Sequence, residues 1–118
     1  MTKLKLKVMD RLGIIRTLNR IHSQQGLDIM GLKRSSEIIE KCELDEGEKK
    51  KVNWIDIKGG GANINLVEAN KLEREIEFSK DEVEIIKTSI LAMDKLKGFS
   101  GSDVFVIKLC ELLKIDVS

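Results

Sequence analysis

Glu73-Arg74-Glu75-Ile76-Glu77-Phe78-Ser79-Lys80-Asp81-Glu82-Val83 changes its period midway, and that change decides the fold class. Up to Phe78 the run reads as extended, with Ile76 and Phe78 on one face and Arg74, Glu75 and Glu77 interleaved among them. Ser79 followed by Glu82 is then a capping box, which opens a helix whose successive turns are marked by Val83, Ile86, Ile90, Met93 and Lys97. Gly98 is the expected C-terminal stop. A strand that runs directly into a capped helix predicts a mixed architecture.

Downstream, after Phe99-Ser100-Gly101, Ser102 or Asp103 is the expected cap of a last helix carrying Val104, Ile107, Leu109, Leu112 and Leu113. Upstream, Trp54-Ile55-Asp56-Ile57, Lys58-Gly59-Gly60-Gly61 and Asn63-Ile64-Asn65-Leu66-Val67 alternate as strands do around a glycine turn, giving a β-hairpin or an open loop with strand-like arms. Leu27 to Leu44 reads as a helix, with Asp28 as its N-cap and Ile29, Leu32, Ile38, Ile39 and Cys42 as an irregular apolar stripe. Asp45-Glu46-Gly47-Glu48 before Lys49-Lys50-Lys51 predicts one more turn, its acids preceding its bases as the helix dipole favours.

At the beginning, Lys3-Leu4-Lys5-Leu6-Lys7-Val8 alternates strictly and fits a short strand, although the apolar positions from Leu4 onward also fit a helix. The helix is unambiguous further on. Val8, Leu12, Ile15, Leu18 and Ile21 share one broad face, Arg16 and Arg20 lie opposite, and Gln25-Gly26 supplies a stop. Gly13 inside this helix costs about 1 kcal/mol relative to alanine, so it marks either a close helix contact or a local weakness. The expected fold is a single domain over residues 1–118, α+β and mainly helical: two N-terminal helices, a small antiparallel strand element and two C-terminal helices.

The bulk numbers agree with one domain. The chain has 118 residues, 42% hydrophobic and 35% charged, enough apolar material for a core without staples. Cys42 and Cys110 stand far apart with no CxxC spacing, and no cleavable signal pattern or membrane-length apolar run is present. Free thiols in a reducing cytoplasm are therefore expected. The net charge of +1 conceals an asymmetry. Residues 1–34 hold eight Lys or Arg against two Asp, giving +6, and the remainder holds thirteen bases against eighteen acids, giving −5.

The Val8-Met9-Asp10-Arg11-Leu12-Gly13-Ile14-Ile15 helix, the Leu44-Asp45-Glu46-Gly47-Glu48 turn leading to Asn53-Trp54, and Ile76-Glu77-Phe78-Ser79-Lys80-Asp81-Glu82 before a final helical pair resemble a group of small uncharacterised phage and prophage proteins. The likeness covers most of the chain and is carried by core and capping residues. Gly59-Gly60-Gly61 and the stretch to Asn70 depart from it as an insertion. What the resemblance implies is a cytoplasmic accessory protein of a mobile element, with no activity attached.

Candidate binding residues follow from charge and exposure. Arg16 and Arg20 form a basic face suited to an acidic protein surface or to phosphates, with a plain solvated face as the simpler reading. Arg11 falls inside the apolar arc, where it covers apolar surface with its stem or finds a buried acid or a partner. Trp54, Ile57, Lys58 and Gly60 mark the hairpin as a recognition tip, although Trp54 also suits a core position. The glycines are no P-loop, because no Gly-Lys-Ser/Thr and helix follow. His22 is the only histidine, which excludes a multi-histidine metal site, and the many carboxylates form no nucleophile–base pair. The expectation is a non-enzymatic protein without cofactor, metal or membrane, acting by binding a host or phage protein in the host cytoplasm, with homodimerisation through strand edges or helix faces. The alternative is a nucleic-acid-binding regulator using the same bases, against which the 3% aromatic content weighs.

Overall fold

A computed structural model describes residues 2–59, 62–99 and 103–115. Strand β1 spans Thr2–Lys7 and runs without a linker into helix α1, Val8–Gln25. Helices α2 (Ile29–Cys42) and α3 (Glu46–Lys51) follow. A hairpin of β2 (Ile55–Asp56) and β3 (Ala62–Asn63), helix α4 (Leu66–Lys71), strand β4 (Glu73–Phe78) and helices α5 (Lys80–Lys95) and α6 (Phe105–Leu113) complete the order. The architecture is α+β and mainly helical.

The larger sheet joins the two ends of the long middle segment: β1 pairs antiparallel with β4. Its register settles which period the opening residues obey. Leu4 faces Ile76 and Thr2 faces Phe78 on one side, whereas Lys3, Lys5 and Lys7 stand opposite Glu77, Glu75 and Glu73 on the other. Leu4, Leu6, Ile76 and Phe78 are buried. The outer face pairs each lysine with a glutamate, which disfavours a one-residue slip. The period changes at Val8, where the Asp10 carboxylate accepts from the Lys7 backbone N–H at 2.9 Å.

The side of the sheet bearing Leu4, Leu6, Ile76 and Phe78 joins α1, α2, α5 and α6 in the principal core, which includes Ile14, Leu18, Ile38, Ile86, Ile90, Phe105 and Leu109. A second, smaller cluster of Val8, Leu44, Val52 and Ala69, with Leu12, Trp54, Ile64 and Leu72 at its margin, supports the hairpin and α4. Gly13 is a contact glycine: a Cβ there would lie 2.5 Å from the Phe105 ring of α6. Of the two readings of Gly13, close helix approach is the observed one.

The predicted caps of α2 and α5 are present, whereas Asp103 does not cap α6, whose N-cap is Val104 without a side-chain bond. Asp28 accepts from the Gly31 N–H at 2.7 Å, and Ser79 and Glu82 exchange their bonds at 3.2 and 2.7 Å. Several expectations are corrected. Leu66-Val67 continues no strand, because the Asn65 side chain accepts from the Val67 and Glu68 N–H groups and starts α4 instead. Gly98 does not carry the left-handed turn after α5. Lys97 does, at φ 52°, and the Gly98 N–H closes onto the Met93 carbonyl. In α2, Ile38 and Cys42 are buried, whereas Ile29 is 85% exposed and Leu32 is also exposed, so the stripe reaches the core only in its second half. Likewise Leu109 and Leu113 of the last helix are buried while Val104, Ile107 and Leu112 are exposed.

Candidate functional site

Two elements make a concavity. The hairpin lies beside the start of α1, held there by three local features. Asn53, at φ 54°, turns the chain out of α3; asparagine tolerates that left-handed conformation better than most residues. The Trp54 N–H bonds the Lys49 carbonyl at 2.9 Å, and the Asn65 N–H bonds the Val52 carbonyl at 2.7 Å. Val52 itself is fully buried. Pairing of Ile55 with Asn63 and of Asp56 with Ala62 puts Trp54, Asp56, Ala62 and Ile64 on one face of the hairpin and Ile55 and Ile57 on the other.

Met9, Leu12 and Arg16, spaced along one side of α1, meet Trp54, Asp56, Ala62, Asn63, Ile64 and Leu66 around a groove of about 700 Å³. Trp54 is set firmly in its wall. Its indole N–H donates to Asp56 Oδ1 at 2.8 Å, and the Lys49 ammonium stands 5.3 Å from the ring centroid. A second concavity on the far side of the tryptophan is lined by Glu46, Lys49, Lys50, Asn53 and Ile55. Exposed Ile55, Ile57, Leu66 and Val67 surround this region with apolar surface.

The residues expected from sequence are divided by the fold. Arg16 and Trp54 come together in the groove, while Ile57 and Lys58 are exposed on the hairpin beyond it. Gly60 lies outside the described residues. Arg20 is drawn toward α6: its Nη1 bonds Asp103 Oδ2 at 3.2 Å and the Gly98 carbonyl at 3.4 Å. Arg16 Nη2 takes the other Asp103 oxygen at 3.1 Å, so two guanidiniums share one buried carboxylate. The Arg16 Nε is covered and has no acceptor. Asp103 thus ties the chain ahead of α6 to α1 instead of capping α6; Ser102, the other expected cap, lies outside the described residues.

Arg11 is 1% exposed and belongs to a different construction. Its Nε donates to the Cys42 carbonyl at 3.1 Å and its Nη2 to the Glu43 carbonyl at 2.6 Å, while both Nη groups grip Glu48. Arg74 adds bonds to Glu48 at 3.2 Å and to the Lys41 carbonyl at 2.7 Å. The two arginines satisfy the otherwise bare carbonyls at the end of α2, where positive charge is favoured. The hydrogen bond from Arg11 holds the Glu48 carboxyl below its ordinary value. The buried acid proves to be the answer for Arg11.

Other polar groups do structural work. Burial raises the Glu82 carboxyl, but bonds from Lys41 and Ser79 outweigh it and the net shift is downward. Cys42 and Cys110 are free; burial pushes the Cys42 thiol up to about 12, which leaves it an inert packing group. His22 Nε2 lies 3.4 Å from Ser35 Oγ, but Ser35 is buried and the contact bridges α1 to α2. Among the described residues no group of three or more His, Cys, Asp or Glu is placed to hold a metal ion, and no helix is long and apolar enough to cross a membrane.

Sequence reasoning missed Met9, Asp56, Ile64 and Leu66 as groove residues. The alternation of Trp54 with Asp56 signalled a shared face, but nothing local signalled that this face turns toward α1. No protein-family model matches the chain, and no curated protein or solved structure matches it significantly.

Proposed function

We propose that the protein is a non-enzymatic binding module, an accessory protein of a phage or prophage that engages a host or phage protein in the host cytoplasm and blocks a host enzyme or defence complex. The observation that carries the binding reading is the groove beside Trp54, a concavity with a rigidly held aromatic wall and a margin of exposed aliphatic side chains. Rigid aromatic anchors beside apolar pockets are the usual centres of protein–protein interfaces. The mobile-element origin rests on the resemblance of the capping and core segments.

The nucleic-acid alternative draws less support. Arg16 and Arg20 share Asp103, and Lys3, Lys5 and Lys7 stand opposite glutamates, so much of the basic N-terminal charge is met within the fold. A tagged protein should capture a specific bacterial protein from lysate despite nuclease treatment. The Leu66→Asp variant, altered at an exposed groove residue, should lose that capture while keeping its thermal melt. Capture abolished by nuclease, or unchanged by Leu66→Asp, overturns the reading.

A further inference from the structure

We propose that the groove between α1 and the hairpin accepts a short acidic, apolar segment of a partner protein. Arg16 binds the segment's carboxylate, and its aliphatic side chain lodges between Leu12, Ile64 and Leu66 beside Trp54. The inference rests on the protein-binding reading and specifies its ligand.

Arg16 is only partly engaged within the fold. Its side chain is 37% exposed and lines the groove, with Asp103 bonded through one terminal nitrogen. Its Nε is buried and out of a ligand's reach. A guanidinium is a planar fork of five donors, so the exposed terminal nitrogens can meet a second acid beside Asp103. Arg16 and Arg20 set two positive charges against the single carboxylate of Asp103, which leaves an excess of positive charge at that end of the groove.

The surrounding charge and shape favour the same ligand. Lys49 and Lys50 stand beyond the tryptophan and Lys58 on the hairpin. The two acids nearby, Asp56 in the groove and Glu46 beyond the tryptophan, are outnumbered by these lysines and Arg16. An acidic ligand is favoured over a basic one. Aliphatic walls demand an apolar side chain next to the acid. A space of about 700 Å³ suits a few side chains of a peptide, and falls within the usual range of ligand clefts. Nucleic acid fits worse, because the wall presents one aromatic ring and Asp56 rather than a series of stacking platforms.

Trp54 is the only tryptophan and the chain has no tyrosine, so emission reports on the surroundings of this one ring, and dependence on Arg16 separates the groove from the concavity on its far side. The probe is a pool of capped tetrapeptides with Asp or Glu flanking two positions varied over Leu, Ile, Met and Phe. The reference is the same pool with Asn or Gln as flanks. The acidic pool should change the emission saturably and bind about tenfold or more tightly than the amide pool, as loss of a charge-assisted contact requires. Arg16→Gln should abolish that preference. Arg20→Gln, which also loses an Asp103 bond but does not line the groove, should weaken the preference by lowering the local charge without abolishing it, and thereby separates ligand binding from damage to the α6 tether. Equal binding of both pools, no saturable change with either, or an emission change that follows protein concentration alone, as a second copy filling the groove would produce, overturns the proposal. If lysate capture that depends on Leu66 persists while the peptides fail, the acidic ligand falls and the protein-binding reading stands.

Discussion

At the scale of single residues the decisive case is Arg11, a fully charged side chain placed by helical geometry among aliphatic neighbours. It is tolerated because the Glu48 carboxylate meets its charge and the Cys42 and Glu43 carbonyls at the end of α2 take further donors. Arg11→Leu suits the apolar arc yet leaves Glu48 half paired, and is expected to cost about 3 kcal/mol. Adding Glu48→Gln should recover most of that loss. Urea unfolding followed by Trp54 emission measures both, and an unaltered midpoint in Arg11→Leu would refute the argument. The same network sets the response to acid. The Glu48 carboxyl titrates below its ordinary value of 4.5 in the fold, so its contribution is complete above that value and is lost as pH falls through the lower folded one. Glu82, also lowered, acts with the same sign. His22, lowered by burial, begins the decline once pH drops beneath its ordinary 6.5. The urea midpoint should therefore fall from pH 7 to pH 3, and Arg11→Leu should flatten its steepest, most acidic part.

At the scale of elements, the pairing of β1 with β4 shows how charge selects a partner across the chain. Lys-Leu-Lys-Leu-Lys at residues 3–7 and Glu-Arg-Glu-Ile-Glu at residues 73–77 set each lysine opposite a glutamate in the observed antiparallel register, which also buries Leu4 against Ile76. A slip by one residue would set lysines toward the core. Lys5→Glu places two glutamates opposite each other and is expected to destabilise by about 0.5–1 kcal/mol. Adding Glu75→Lys should restore the loss, and 1 M salt should shrink both effects. Thermal melts of the two variants at low and high salt decide it, and failure of the second change to compensate would show that the ladder contributes nothing.

At the scale of the whole molecule, α1 is the common support: it packs against α2, α5 and α6, touches α4, and separates the principal core from the cluster beneath the hairpin. The approach to α6 depends on Gly13, where any Cβ meets the Phe105 ring. Gly13→Ala gains about 1 kcal/mol in helix propensity. Overpacking against a buried aromatic costs about 1–3 kcal/mol. A net loss of stability is expected, against the rule for helical glycines, and a raised melting temperature would show that α6 shifts without penalty.

The sequence by itself determined the local grammar. The Asp28 and Ser79 caps, the period of β4, the strand-like arms around Gly59 and the helical face through Val8, Leu18 and Ile21 each depend on neighbours a few residues away. It also exposed Arg11 as a charge needing an answer. Tertiary structure alone decided which period residues 2–7 obey, because Leu4 and Leu6 fit either until β4 arrives from seventy residues away to pair with them. It alone gave Arg11 the acid Glu48 and drew Arg20 to Asp103. It alone brought Arg16 and Trp54 into one groove, because that meeting depends on how the hairpin turns over α1, and the contacts that turn it are long-range packing rather than local pattern.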